Sequence, residues 1–261
     1  MIKKIISYNV NGLRAAENRG FLTWLKNESP DIVCLQETKL QASQLNIGMY
    51  ESLGYHCYFH SAEKKGYSGV AILTKDKPDR IMMGMKIKQY DVEGRVIRTD
   101  FGKITQLCVY IPSGTMGDSR QDFKMEFLHD FTAFIIDLRK TRPNLIVSGD
   151  YNICHKPIDI NHPEKHQKSS GFLPSERNWF DRFINIGFTD TFRMFNSQPG
   201  QYSWWSYRAN SREKNLGWRI DYHLVSSSMN NAMKNALMLQ QIVYSDHCPV
   251  LMEIDWNRIE E

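Results

Sequence analysis

Ten short segments that are rich in β-branched or aromatic residues recur along this chain, and helical patterns lie between them. The segments have the length and composition of β-strands, and they cover residues 4–8, 32–35, 55–59, 70–73, 95–100, 104–110, 145–148, 219–225, 237–243 and 250–254. Apolar residues spaced by three and four predict helices over 21–25, 123–138 and 175–184. The chain is therefore predicted to form one α/β domain over residues 1–261, with two packed sheets and helices outside them.

The composition permits a sizeable core and argues against a membrane protein. Hydrophobic residues make up 41% of the 261 residues, yet no apolar run approaches the ~20 residues that a membrane helix needs. Only a brief apolar stretch precedes Asn9, so we expect a mature first strand rather than a secretory signal. Five scattered cysteines without a Cys-x-x-Cys pair indicate a reducing, cytoplasmic location. The net charge of +4 only slightly favours a polyanionic partner.

Four short polar clusters lie at the ends of predicted strands. They are residues 9–14 (Asn-Val-Asn-Gly-Leu-Arg), 36–38 (Gln-Glu-Thr), 148–152 (Ser-Gly-Asp-Tyr-Asn) and 245–247 (Ser-Asp-His). Residues at strand ends converge in α/β sheets, and acids, amides and a histidine are what hydrolysis with a hard metal ion requires. Their order and separation together predict one active site.

Glu37 is the first candidate for a metal ligand, because Mg²⁺ prefers oxygen ligands and usually takes one or two carboxylates. It directly follows a strongly apolar predicted strand, and Asn9 could supply an amide oxygen or orient a metal-bound water. The alternative for Glu37, taken alone, is an ordinary surface carboxylate.

Asp150 and Asn152 stand two residues apart, so they share a face if the strand continues through them. In that arrangement the acid can take a proton from water while the amide donates to a phosphate oxygen. The alternative is an Asx turn after Gly149, which is also common.

His247 follows an acid, Asp246, but sequence neighbours cannot easily join an imidazole ring to a carboxylate. A different acid is needed to orient the ring, and Asp221 is the candidate because an unpaired charge within an apolar strand is costly. The two would form a dyad that fixes the tautomer of the imidazole and favours its charged form. The alternative is a salt bridge from Asp221 to Arg219 or Arg95.

The sequence contains no P-loop, no Gly-x-Gly-x-x-Gly and no Gly-x-Ser-x-Gly element. Their absence argues against nucleotide-driven transfer, dinucleotide redox chemistry and serine hydrolysis.

Three loops are rich in turn-forming, basic or aromatic residues. Long loops without their own secondary structure are usually functional or disordered. The three loops are residues 112–118, 155–172 and 202–219. In the third, Trp204 and Trp218 could pack on a sugar or an exposed base. Its cations Arg208, Arg212 and Lys214 could meet phosphates. The alternative is that these tryptophans belong to the core.

Together these motifs resemble the exonuclease III class of abasic-site (AP) DNA endonucleases, within the endonuclease/exonuclease/phosphatase superfamily. The segments that carry the resemblance are residues 9–15, 35–39, 66–71, 149–152, 217–222 and 245–249. They span nearly the whole chain, in the same order and with similar spacing. The resemblance implies a four-layer α/β sandwich, in which two mixed, mainly antiparallel sheets are flanked by helices.

The same resemblance implies an activity and its requirements. It implies Mg²⁺-dependent cleavage of DNA 5′ to an abasic site, together with 3′–5′ exonuclease and 3′-phosphatase action, and Mn²⁺ as a substitute metal. The expected partner is double-stranded DNA with abasic sites or blocked 3′ ends. We expect the protein to be a monomer that does not bind a membrane.

Carried over by position, the resemblance assigns a role to each polar cluster. The metal-binding residues would be Asn9, Glu37, Asp150, Asn152, Asp246 and His247. The catalytic residues would be Tyr110, Asp150, Asn152, Asp221 and His247. The residues that meet DNA or the flipped-out abasic sugar would be Arg14, Trp204, Arg208, Trp218 and Ile220. Asp150 would activate the attacking water and Asn152 would stabilise the transition state, while Tyr110 and His247 would contact the phosphate.

The sequence also departs from the family pattern. Asn11 stands where some members carry an aspartate, and Ser113 stands where a larger amide is common. His166 and Ser169 replace amides in a loop that grips DNA. These changes leave the hydrolytic residues in place but bear on the balance of activities.

Two rival hypotheses remain open at this level. A superfamily phosphodiesterase for a soluble phosphoester would share the acids and the histidine but would have no use for Trp204 and Trp218 beside cations. A non-catalytic DNA-binding module of the same fold would have lost metal or water-activating residues, and none is missing. Assays on abasic DNA and on soluble phosphoesters separate the first rival from a DNA nuclease.

Overall fold

In the computed structural model, which describes residues 1–260, the chain forms two six-stranded β-sheets and one short hairpin. The first sheet contains β1 (Ile2–Asn9), β2 (Ile32–Gln36), β3 (His56–His60), β4 (Val70–Thr74), β13 (Met233–Met238) and β14 (Val250–Asp255). The second contains β5 (Arg80–Met83), β6 (Val96–Phe101), β7 (Ile104–Tyr110), β8 (Asn144–Asp150), β9 (Phe188–Asp190) and β12 (Asp221–Ser226). The hairpin pairs β10 (Trp204–Trp205) with β11 (Gly217–Trp218).

The helices connect the strands, and the longest of them cover the outer faces of the sheets. They are α1 (Leu13–Asn18), α2 (Phe21–Glu28), α3 (Ile47–Glu51), α4 (Lys88–Asp91), α5 (Asp118–Arg139), α6 (Pro174–Asn185), α7 (Thr191–Phe195) and α8 (Asn257–Glu260). Among residues 1–260, no helix combines the length and the apolar character needed to cross a membrane.

Each sheet has one parallel pair at its centre, and all its other neighbouring strands are antiparallel. The order is β13-β14-β1-β2-β4-β3 in the first sheet and β5-β6-β7-β8-β12-β9 in the second. The parallel pairs are β1 with β2 and β7 with β8. Because parallel strands finish at the same edge of a sheet, the residues that follow these four strands are brought together.

Three apolar layers hold the sheets and helices together. Between the sheets lie inner-face residues such as Ile5 and Ile146. Outside the first sheet, Phe21 of α2 packs with the residues of that sheet's outer face, and outside the second sheet Phe127 of α5 and Phe183 of α6 do the same. Burying one such side chain contributes roughly 1.5–3 kcal/mol. The order helix, sheet, sheet, helix confirms the expected four-layer α/β sandwich.

Nine of the ten predicted strands agree with the observed bounds to within two residues, whereas α5 begins five residues before the predicted helix 123–138. Segment 237–243 is the exception, because the strand there is β13, Met233–Met238, and the chain turns after it, with the amide of Ile242 donating to the carbonyl of Leu239. The edge strands β5 and β9 were not predicted. Ile81 and Met83 of β5 are exposed, so the alternation that marks a half-buried strand is weak there.

His223 of β12 joins the two sheets within the core. Its Nδ1 lies 2.7 Å from Ser148 Oγ on β8, and its Nε2 lies 3.0 Å from the carbonyl oxygen of Val250 on β14. The Nε2–H donates to the carbonyl while Nδ1 accepts from the hydroxyl, so the neutral ring satisfies both partners. Burial lowers the pKa of His223 to about 4.

We expect His223 to make the protein less stable in mild acid. The folded-state pKa lies below the ordinary value of about 6.5, so the unfolded chain binds the proton first as the pH falls. The contribution of His223 to the free energy of unfolding is complete above pH ~6.5 and is lost progressively towards pH ~4, by roughly 2 kcal/mol at pH 5. Urea unfolding of the wild type and of His223→Gln at pH 7 and pH 5 measures this. A pH dependence that is the same in both proteins would contradict the assignment.

Candidate active site

The polar residues predicted at the strand ends meet at one end of the sandwich. Asn9 ends β1, Tyr110 ends β7 and Asp150 ends β8, so the central parallel pairs of both sheets contribute. Asp221 begins β12, and His247 lies just before β14. These strand ends border a cleft of about 660 Å³. Its lining includes Tyr110, Asp150, His247 and also Glu37, which directly follows β2.

Glu37, Asp150 and His247 form the centre of this cleft. Their ligand atoms all lie within 4.8 Å of one another, and we call these three residues the acid–imidazole centre. The amide nitrogen of Asn9 donates to Glu37 Oε1 and to Asp150 Oδ2, at 2.9 Å each. Two carboxylates this close repel each other unless a proton, a donor or a cation lies between them. The Asn9 amide meets this need in part, and the two carboxylates are oxygen ligands of the kind that a hard divalent cation takes.

Asn9 is placed differently from the expectation that it offers an amide oxygen to a metal. Its Oδ1 accepts the backbone N–H of Asn11 at 3.0 Å, and its nitrogen faces the two carboxylates. In this geometry the Asn9 amide holds Glu37 and Asp150 in place.

The surroundings of Glu37 favour its charged carboxylate form. Its Oε2 lies 2.9 Å from the Lys39 ammonium, which also contacts the side chain of Asn11. Burial opposes ionisation, but Lys39 and the Asn9 amide outweigh it and hold the pKa of Glu37 below its usual range. Glu37 has a φ of +51°, so the chain bends sharply after β2 and turns this carboxylate into the cleft.

Asp150 and Asn152 are joined by an Asx turn, and not by a continuing strand. The strand β8 ends at Asp150, and the N–H of Asn152 donates to Asp150 Oδ1 at 2.8 Å. Asn152 has a φ of +51°, which no strand permits. The expected shared strand face is therefore wrong, yet the turn places both side chains in the cleft. Burial, together with the nearby Asp221, raises the pKa of the Asp150 carboxyl above its usual range.

Asp221 and His247 form the predicted dyad. His247 Nδ1 donates to Asp221 Oδ2 over 2.9 Å, and His247 Nε2 points towards Asp150 Oδ2 at 3.9 Å. Asp221 does not pair with Arg219, which binds Asp159 and Asp190 instead. Burial works against a charged imidazole, but Asp221 and Asp150 overcome it and raise the pKa of His247 to about 10.

Ser203, which the sequence analysis did not single out, holds the Asp221 carboxylate. Its hydroxyl donates to Asp221 Oδ2 at 2.6 Å and accepts the backbone N–H groups of Ile220 and Asp221 at 3.1 Å. A serine next to an aromatic hairpin carries no sequence signal of this role, because the contact depends on the tertiary placement of β12.

Tyr110 contributes a hydroxyl to the same cleft. Burial, together with the nearby carboxylate of Glu37, raises the pKa of Tyr110 well above its usual range. The guanidinium of Arg95 lies 4.8 Å from the ring centroid of Tyr110 and donates to its backbone carbonyl at 2.9 Å. The phenol is therefore a neutral hydrogen-bond donor held in a fixed position.

Asp246 lies beside the acid–imidazole centre but outside its 4.8 Å group. Its Oδ1 accepts from the side-chain amide of Asn11 at 2.9 Å, and its Oδ2 accepts from Trp204 Nε1 at 3.0 Å. Asp246 thus couples the first polar cluster to the aromatic hairpin.

Trp204, Trp218 and Ile220 form one wall of the cleft, which we call the aromatic pocket. The two indoles meet edge to face, with ring centroids 6.0 Å apart. His166 also lines the cleft and lies edge-on to Trp218 at 5.0 Å. Trp205, in contrast, is buried in a core cluster with Tyr202 and Cys248.

The predicted cations are not all part of the cleft. Arg14 and Arg208 are exposed and lie outside its lining. Arg212 does not reach towards a phosphate; its guanidinium donates to the backbone carbonyls of Ser245, Gln240 and Ile242 at 2.6–3.0 Å. The expectation for Arg212 is therefore wrong, because the charge is used to tie the segment before His247 to the hairpin loop.

Comparison with known proteins places this architecture in a family. The family model described as Endonuclease/Exonuclease/phosphatase family matches residues 6–247. An exodeoxyribonuclease of Bacillus subtilis is 41% identical over 97% of this chain and 99% of its own length. A DNA-(apurinic or apyrimidinic site) endonuclease of Dictyostelium discoideum is 38% identical over 97% of this chain and 71% of its own.

Solved structures agree with these relatives. A 3′ phosphatase from Neisseria, bound to a product DNA hairpin, superposes with a TM-score of 0.91 at 29% identity and covers 97% of this chain and 100% of that one. An AP endonuclease from Archaeoglobus fulgidus gives a TM-score of 0.88 at 27% identity, with 97% and 99% covered. With this sequence match, this fold and this arrangement of acids and imidazole, the chain belongs to the endonuclease/exonuclease/phosphatase family.

Proposed function

We propose that this chain is a metal-dependent DNA repair phosphodiesterase that cleaves the backbone 5′ to abasic sites and trims 3′ ends as an exonuclease and a 3′-phosphatase. One observation carries the proposal: the acid–imidazole centre and the aromatic pocket share a single cleft. The relatives support it, since they include an exodeoxyribonuclease, an AP endonuclease and a 3′ phosphatase.

The side chains of the cleft divide the work of hydrolysis. Asp150 accepts a proton from the attacking water, as a general base positioned in the cleft. Asn152, Tyr110 and the imidazolium of His247 donate to phosphate oxygens on which charge accumulates. Asp221 keeps the His247 ring oriented. Water attacks phosphorus directly, so no covalent enzyme intermediate forms.

The residues present fit Mg²⁺, with Mn²⁺ as a substitute. Glu37 and Asp150 would hold the ion, and the protonated ring of His247, which has no free lone pair, would lie beside it. A divalent cation bound there supplies positive charge to the phosphate undergoing attack.

Double-stranded DNA with abasic sites or blocked 3′ ends is the proposed substrate. The aromatic pocket is half-buried and apolar, which suits a sugar that carries no base. Exposed Arg208 and Lys214, in the loop that joins β10 to β11, suit phosphates of the DNA backbone. His166, Ser169 and Ser113 line the same cleft, so the departures from the family pattern lie where substrates are distinguished.

We further propose that the protein acts as a monomer in the reducing cytoplasm. All five cysteines are free thiols, and four of them are buried, which suits a compartment that keeps thiols reduced.

Time courses on abasic, 3′-phosphorylated and undamaged duplexes, with Mg²⁺ and with EDTA, test the proposed function. We expect cleavage at the abasic site and release of phosphate, both abolished by EDTA. Hydrolysis of soluble phosphoesters in place of DNA would support a different phosphodiesterase, and DNA binding without hydrolysis would support a non-catalytic module.

We expect Glu37→Gln to raise the Mg²⁺ concentration needed for half-maximal activity. The change removes a carboxylate ligand, while DNA binding persists through cations outside the cleft. A Mg²⁺ titration of activity measures the shift, and Glu126→Gln, at an exposed position on α5, is the control. An unchanged titration in Glu37→Gln would exclude this residue as a ligand.

We expect Asp150→Asn and His247→Asn each to lower kcat by about a hundredfold or more, the scale for losing a general base or a charge-stabilising donor. The DNA dissociation constant, measured by fluorescence anisotropy, should change little. Near-normal turnover in either variant would show that the catalytic centre lies elsewhere.

We expect Trp218→Ala to impair cleavage at abasic sites more than removal of a 3′-phosphate. An internal lesion must be swung out of the helix, at a cost of a few kcal/mol, whereas a frayed 3′ end already reaches the centre. The ratio of the two rates measures the effect, with folding checked by circular dichroism. Arg208→Ala is the control, because it should weaken all DNA substrates alike. An equal loss of both activities in Trp218→Ala would mean that the indole serves general DNA contact.

A further inference from the structure

A buried ion pair joins the two long helices behind the cleft. Lys124 of α5 and Glu176 of α6 are both fully buried (0% side-chain exposure), and Lys124 Nζ bonds to Glu176 Oε1. Removing two charges from water is expensive, and apolar residues of similar volume often stabilise a core as well or better. Stability alone therefore does not account for the pair.

The lysine reaches beyond its partner to the active-site turn. Lys124 Nζ donates to the backbone carbonyl oxygen of Asn152 at 2.8 Å. Asn152 stands at a positive φ, and its side-chain amide donates to the carbonyl of Ile111 at 2.9 Å. The ammonium thus fixes the peptide group that follows the Asn152 side chain. The Asn152 N–H, which donates to Asp150 Oδ1 at 2.8 Å, holds the other side of the same turn.

The glutamate holds a backbone segment that lines the cleft beside Asn152. Glu176 Oε2 accepts the backbone N–H groups of Gly171 and Leu173, at 2.7 and 3.0 Å. Gly171 lies so close to its neighbours that a Cβ there would be 2.8 Å from Trp218 Cζ3 and 3.2 Å from the Asn152 carbonyl oxygen. Glu176 is therefore held by the backbone on one side and by Lys124 on the other, which leaves the ammonium little freedom.

We propose that Lys124, oriented by Glu176, is a positioning residue that sets the Asn152 amide against the scissile phosphate. It touches neither substrate nor metal and acts only through the turn. The inference rests on the proposed role of Asn152 in hydrolysis. It predicts that losing the Lys124 hydrogen bond lowers kcat with little change in KM, because cations outside the cleft still bind the DNA.

The double variant Lys124→Met with Glu176→Gln separates positioning from mere structural support. Lys124→Met alone leaves a buried, unpaired carboxylate and should lower the Tm. The double variant removes both charges, and the glutamine keeps an acceptor for the Gly171 and Leu173 amides, so Tm should largely recover. We expect kcat to stay about tenfold or more below the wild type, since a small misplacement of a reacting group costs that much. Recovery of kcat together with Tm would overturn the proposal.

A readout without catalysis keeps this test separate from the proposed function. Amide hydrogen exchange should be faster over residues 150–156 in the double variant, with or without an active assay. If the wild type cleaves no DNA substrate but exchange is still faster in the double variant, the proposed function is wrong and the role of Lys124 in holding the turn stands. Unchanged exchange, even with lowered kcat, would overturn the positioning.

Asp100→Asn is the matched control. Asp100 pairs with Arg98 in another buried ion pair, at the far end of β6 from Tyr110. Its loss should lower Tm without changing kcat or exchange over residues 150–156. If the double variant does not fold, Lys124→Met and Asp100→Asn are compared at temperatures equally far below their Tm values. An equal effect of both on kcat would overturn the proposal.

Discussion

The active site depends on holding several carboxylates close together around one imidazole. Asp150 and Asp221 face each other across neighbouring strands β8 and β12, and both are about 1% exposed. In so dry a position two like charges cost several kcal/mol unless a cation or donors compensate. His247 compensates from one side, and the amide of Asn9 from the other. The raised pKa values of Asp150 and His247 are two consequences of this one balance.

The two-sheet arrangement is what makes that balance possible. Each sheet supplies its central parallel pair, so the acids come from rigid strand ends and not from mobile loops. The aromatic hairpin is fastened to the same region, because the amide of Trp205 donates to the carbonyl of Asp246 and the amide of Cys248 to that of Ser203. The aromatic pocket and the acid–imidazole centre are therefore joined by the same backbone hydrogen bonds, which limit how far either can move without the other.

Much of the site could be predicted because polar residues at strand ends have few structural roles. Glu37, Asp150 and the Asp221–His247 dyad follow from that rule. The orientation of the Asn9 amide and the role of Ser203 could not be predicted, since both depend on contacts between the two sheets. Lys124 and Glu176 could be noticed in the sequence, because each occupies a position on the apolar face of its helix. Phe127 lies three residues after Lys124, and Trp179 lies three residues after Glu176. Opposite charges on two buried helix faces are recognisable only when the helices are paired.

The pairing of β14 with β1 has a consequence for biosynthesis. The first strand of the chain lies between β2 and β14, so its sheet stays incomplete until residues 250–255 are available. His247 arrives with that same last strand. While synthesis proceeds from the N-terminus, the acids at residues 37 and 150 exist for some time without the imidazole that balances them. A nascent chain that ends before residue 247 therefore lacks both the imidazole of the acid–imidazole centre and the strand that completes the first sheet.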